Sequence, residues 1–209
     1  MKKYLAEAIA TFFLLLIGTG SVILDHKTAG AISLLGISLI TGLIVTIMIL
    51  LVGKISGAHM NPAVTLALIA KKELAFSEFA PYLLSQAVGA FAGTFTLSLI
   101  FGNTYSLGET IPSLDLGYAF IIEVVLTFFL LITIFYSSDR FSVLAPWIIG
   151  LYVALGIFLG GNYSGGSMNP IRSLSPAVQN NNLNGQWIFL TAPFIGALLA
   201  TIIYKNKKA

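Results

Sequence analysis

Long apolar runs alternate along this chain with short polar breaks, and six of the runs are long enough to cross a bilayer. They cover about 4–24, 31–53, 79–101, 117–137, 143–160 and 186–204. A spanning helix needs roughly 20 mostly apolar residues at about 1.5 Å rise each. Strands of a membrane barrel would show period-two alternation, which these runs lack. The first run follows Met1-Lys2-Lys3 and mimics a signal peptide. It is too long for one, carries Glu7, and has no small-residue cleavage pattern after it. The pattern predicts an all-α membrane protein whose first span begins near its first residue.

Composition supports this reading. The chain is 57% hydrophobic and only 9% charged, whereas soluble domains carry about 25% charged residues. A lipid exterior accounts for the shortfall. Nucleic-acid binding, soluble catalysis on polar substrates and, with no cysteine, disulfide-stapled secretion all lose ground. The net charge of +3 is small, and the placement of charge is more telling. With both termini inside, Lys2, Lys3, Lys54, Lys71, Lys72, Arg140, Lys205, Lys207 and Lys208 all fall on the cytoplasmic side, and the outer loops keep only Lys27. That is the positive-inside asymmetry of a multi-pass protein of a plasma or inner membrane. Loops are short and no linker is evident, so one domain, 1–209, is expected.

Internal similarity is the most informative feature. Glu7-Ala-Ile-Ala-Thr11-Phe-Phe echoes Glu123-Val-Val-Leu-Thr127-Phe-Phe, and Gly57-Ala-His-Met60-Asn61-Pro62 echoes Gly165-Gly-Ser-Met168-Asn169-Pro170. Val88-Gly89-Ala90 and Ile195-Gly196-Ala197 repeat the order once more. Two related halves, about 1–103 and 116–209, follow. Each holds three spans, an odd number, so the second half is inverted relative to the first. Inverted repeats usually place their functional site at the interface near the midplane.

Each half also has an apolar segment too short to span, 62–70 and 170–178, and both open on Asn-Pro. Asn is a favoured helix N-cap, and Pro suits the first helical position, where no N–H is needed. Two short helices are therefore expected to point their N-termini at each other. Ser56-Gly57-Ala58-His59 and Ser164-Gly165-Gly166-Ser167 precede them. Extended backbone at membrane depth is tolerated where it is buried in protein or lines a watery cavity. Carbonyls of Gly57, Ala58, His59, Gly165 and Ser167 would supply acceptors there, and Asn61 and Asn169 donors. The facing helix N-termini oppose cations and protons.

These residues resemble the aquaporin, or major intrinsic protein, family. Its two signature boxes are similar to Ser56-Gly-Ala-His-Met-Asn61-Pro62-Ala63-Val-Thr and Gly165-Gly-Ser-Met-Asn169-Pro170-Ile171-Arg172-Ser173, and the similarity runs nearly the whole chain. It implies six transmembrane helices plus two re-entrant half-helices around a narrow pore, with four protomers each carrying its own pore. Ile171 departs from the family's usual Ala, which argues against the strictest water channels. The family's spacing places the outer filter at Thr41, Ile157, Gly166 and Arg172. Water-selective relatives have an aromatic and a His there, and glycerol facilitators two aromatics. This set is similar to nodulin-26-like channels, especially those passing boric acid, and to their bacterial relatives.

Several residues carry a plainer reading beside the functional one. A charge at span depth costs about 2.5–3.5 kcal/mol on insertion scales, so Arg172 is read as functional rather than as part of a structural ion pair. Glu7 and Glu123 are read as hydrogen-bonded supports for the two loops rather than a proton relay. His59 has Ser167 as its repeat partner and is read as a loop strut. Asp139-Arg140 is expected to be a solvated turn, and Phe12-Phe13 and Phe128-Phe129 lipid contact or packing. No cofactor and no metal site is expected. Three functions compete: a passive channel for water, polyols and boric or arsenous acid; a mainly water-selective channel; and an ion-coupled transporter, which would need more intramembrane acid than Glu7 and Glu123 supply. Two histidines and no paired carboxylates leave little for an intramembrane enzyme.

Overall fold

The computed structural model describes residues 1–206. Lys207 and Lys208, counted above on the cytoplasmic side, lie outside the described residues. Among the described residues, eight helices carry the fold. α1 (Lys2–Lys27) contains a π-helical turn at Leu14–Thr19, and α2 covers Ser33–Ser56. α3 (Pro62–Ala70) is the first short helix, and a 3-10 turn leads into α4 (Phe79–Phe101). After an irregular stretch come α5 (Leu116–Arg140), α6 (Ala145–Gly160), the second short helix α7 (Pro170–Gln179) and α8 (Trp187–Asn206).

Local chemistry sets these limits. α2 stops where Gly57 turns left-handed at φ 87°, a conformation that suits glycine. Asp115 caps α5, its carboxylate accepting from Gly117 N–H at 2.8 Å. Asn61 and Asn169 adopt extended backbone and cap α3 and α7, each with Pro behind it. Among the described residues, five helices are long and apolar enough to cross a bilayer, and α6 is shorter at 16 residues. The run expected from 143 begins helix only at Ala145, with Pro146 in the first turn.

Polarity is inverted relative to a water-soluble protein. Glu7, Gln86, Thr65, Thr94 and Glu123 are buried, whereas Leu39, Leu51, Leu84, Phe95, Leu99 and Leu151 face outward. So large an apolar exterior marks a membrane-facing surface.

The inverted repeat is visible in how the helices cross. A Cβ on Gly89 of α4 would strike the backbone of Ala8 and Phe12 on α1, and one on Gly196 of α8 the backbone of Val124 and Phe128 on α5. The partners on α1 and α5 are related by the same offset as Glu7 and Glu123. α2 and α6 meet through Gly42 and Gly150, where a Cβ on Gly150 would lie 2.5 Å from Gly42 O. Small residues thus let backbones approach where lipid offers no hydrophobic push.

One end is tied by charge. Lys3 pairs with Glu78 at 2.8 Å, Lys71 with Asp139 at 3.7 Å, and Lys205 Nζ donates to Ala70 O. Asp139 also accepts from Tyr204 O–H at 2.6 Å. Asp139-Arg140, expected to be a solvated turn, is exposed but ends a helix rather than forming a turn. α5 runs on to Arg140, which brings Asp139 against the ends of α3 and α8. Phe12-Phe13 and Phe128-Phe129 form matching edge-on pairs, with Phe13 and Phe129 turned outward.

Candidate functional site

α3 and α7 meet N-terminus to N-terminus, and the two asparagines clasp across the contact. Asn61 Nδ2 donates to Met168 O and Asn169 Nδ2 to Met60 O, both at 2.8 Å. Their Oδ1 atoms accept from the first turns, Asn61 from Ala63 N–H at 2.9 Å and Asn169 from Ile171 N–H at 3.1 Å. Each amide nitrogen carries two protons, so the clasp uses one and leaves one for a molecule beside it.

The loops before these helices hold strained backbone: Met60 and Met168 have φ 51° and 54°, which costs a non-glycine residue about 1–3 kcal/mol. Two buried carboxylates fasten them. Glu7 accepts from Ser56 O–H and His59 N–H at 2.8 Å, from Met60 N–H at 2.9 Å and from Gln86 Nε2 at 3.0 Å. Glu123 accepts from Ser164 O–H at 2.8 Å, Ser167 N–H at 2.9 Å and Met168 N–H at 2.7 Å. His59 stacks on Tyr82 with ring centroids 4.7 Å apart, and its Nδ1 lies 3.0 Å from Thr65 Oγ1.

With the loops held this way, the carbonyls of Gly57, Ala58, His59, Gly165, Gly166 and Ser167 accept no hydrogen bond among the described residues. An unpaired buried carbonyl is costly unless water or a solute meets it. All six residues line a single cavity of about 830 Å³. On α2 the cavity wall runs from Leu34 to Lys54, which at about 1.5 Å per residue is roughly 30 Å, the thickness of the hydrocarbon core.

Thr41, Ile157, Gly166 and Arg172 converge on this same cavity, together with Asn61 and Asn169. Gly166 sits at φ 58°, and a Cβ there would come within 3.1 Å of Ile157 Cα, so only glycine fits so close to α6. Thr41 donates back to Ile37 O at 2.9 Å and faces Gly18, whose added Cβ would lie 3.2 Å from its hydroxyl. Pro62, Ala63, Pro170 and Ile171 stand behind the wall. Ile171 packs into the buried cluster with Leu14, Ile44 and Ile149.

Thr110, in the stretch between α4 and α5, was not marked by the sequence. It reaches into the cavity mouth, where its hydroxyl accepts from Arg172 Nη1 and, at 3.1 Å, from Ser173 O–H. Gln186 Nε2 holds its carbonyl at 3.2 Å. A Cβ on Gly165 would collide with its methyl. Glu109 beside it accepts from Asn182 Nδ2 at 3.0 Å.

A profile of the major intrinsic protein family matches residues 1–204. The chain belongs to the major intrinsic protein family. It is 38% identical over 206 residues to aquaporin NIP6-1 of Arabidopsis thaliana, covering 97% of this chain and 68% of that protein. Nodulin-26 of Glycine max is 35% identical, covering 98% of this chain and 77% of its own length. Among solved structures, the aquaglyceroporin of Plasmodium falciparum superposes with a TM-score of 0.88 at 27% identity, over 97% of this chain and 94% of that one. This major intrinsic protein is accordingly a membrane channel for small solutes and not an enzyme.

Proposed function

We propose that the channel passes small neutral hydroxylated solutes, namely glycerol-type polyols, boric and arsenous acid, and water, through a filter made of Thr41, Ile157, Gly166 and Arg172. One observation carries the reading: among the described residues the cavity wall contains no Phe, Tyr or Trp. A filter without aromatic bulk is wide, and its polar groups sit on one side of a dry aliphatic wall. Arg172 donates to solute oxygens and repels cations. The asparagine amides donate at the centre, and the free carbonyls accept solute hydroxyl protons along the way. The relative named an aquaglyceroporin and the relatives of nodulin-26 type favour the same solute range. An ion-coupled cycle is disfavoured, because both intramembrane carboxylates are consumed by loop donors.

In this reading the two repeats, about 1–103 and 116–209, form one domain in the cell membrane. The lysine-rich end and both termini face the cytoplasm, and four copies assemble with a pore each. The filter assignment is tested by narrowing it. In a Thr41→Phe/Ile157→His variant, boric acid and glycerol flux should fall by about tenfold or more, equivalent to ~1.4 kcal/mol of barrier, while water still passes. Unchanged boric acid flux would contradict the assignment.

A further inference from the structure

A second recess lies on the outside of the molecule, away from the pore. It occupies about 330 Å³ between α1, α2 and α4, walled by Ile17, Leu24, Ile32, Leu97, Ile100 and Phe101. Part of this wall comes from the π-helical turn of α1. The repeat-related α5 runs as α-helix throughout Leu116–Arg140. The hydroxyl beside the recess, that of Ser21, already donates to Gly18 O at 2.6 Å. What remains is a dry apolar slot on a bilayer-facing surface.

A cation stands at its loop end. Lys27 Nζ lies 5.4 Å from the centroid of Phe101, a wall residue, and forms no ion pair among the described residues. The neighbouring Asp25 carboxylate is engaged elsewhere, accepting from Ile32 and Ser33 N–H at 3.1 and 2.7 Å. Hydrocarbon slot and unpaired ammonium lie in the order of a phospholipid, tail inward and headgroup at the surface. We infer that this recess binds one anionic phospholipid, with an acyl chain against Ile17 and Leu97 and the headgroup phosphate at Lys27. A lone ammonium at headgroup level pairs more favourably with a net-anionic headgroup than with a zwitterionic one.

Native mass spectrometry of the detergent-extracted protein with equimolar phosphatidylglycerol and phosphatidylcholine of equal chain length tests this. One phosphatidylglycerol per chain should be retained in preference to phosphatidylcholine. Lys27→Ala should bring the preference down several-fold while both lipids still bind, and Leu24→Trp should expel both. Osmotic water flux and oligomeric state of Lys27→Ala should match the parent, showing that it folds and keeping this outcome separate from the solute assignment. An unchanged preference in Lys27→Ala, or lipid retained by Leu24→Trp, would overturn the inference. So would a Leu24→Trp variant that loses its oligomeric state with lipid binding unaltered, since a second copy would then be the occupant.

Discussion

Arg172 shows how one side chain is made useful at membrane depth. Its guanidinium is partly buried, and its side-chain partner is the hydroxyl of Thr110. Thr110→Val keeps the shape and removes the acceptor. A hydrogen bond to a charged group contributes about 1.5–3 kcal/mol, so thermal unfolding in detergent should shift down measurably and boric acid flux should change as Arg172 relaxes. A variant with parent-like unfolding and flux would show that the contact does not hold Arg172. Glu123 makes a second case. Glu123→Gln turns an NH2 toward donors that need an acceptor, costing about 1–3 kcal/mol, and the loop before Asn169 should loosen. Hydrogen exchange at Ser167 and Met168 should rise selectively, and uniform exchange would argue against a local support. Arg172, Glu7 and Glu123 were legible in the sequence because a charge inside an apolar run stands out. Thr110 was not, since a threonine in a polar connecting stretch has no periodicity to betray it and reaches the site only through the tertiary path.

At the scale of elements, the short helices were the most legible. Asn-Pro sets both starts, and the observed Pro62–Ala70 and Pro170–Gln179 differ from expectation by one residue in all. The spanning helices kept their places, and α4 kept both its ends at Phe79 and Phe101, whereas most other ends shifted, because apolar composition does not say where a cap turns the chain. Asp25 and Asp115 set the starts of α2 and α5, and Pro146 sits in the first turn of α6. The π-helical turn at Leu14–Thr19 left no trace, as it alters hydrogen-bond spacing without changing residue type. Crossings were legible as small residues. Gly89→Val and Gly196→Val would each push against backbone on the facing helix, and overpacking costs about 1–3 kcal/mol. Both should lower the yield of folded protein to a similar degree, as the repeat requires. Tolerance at one site only would mean the two crossings are not equivalent.

The whole molecule is a wall of helices around one cavity, with apolar residues outside and unpaired carbonyls within. It contains no cysteine, and thiolates are the usual target of inorganic mercury, so mercuric chloride should leave flux unaltered in proteoliposomes. Rapid block would reveal another soft site in the pore. An aromatic-free filter should admit solutes larger than water. The most direct test is stopped-flow light scattering on proteoliposomes of the purified protein, challenged in turn with sucrose, glycerol and boric acid. Shrinkage followed by fast re-swelling in glycerol or boric acid is the predicted result. Shrinkage in all three without re-swelling would make the protein a water channel and contradict the assignment of Thr41 and Ile157 as walls of a wide filter.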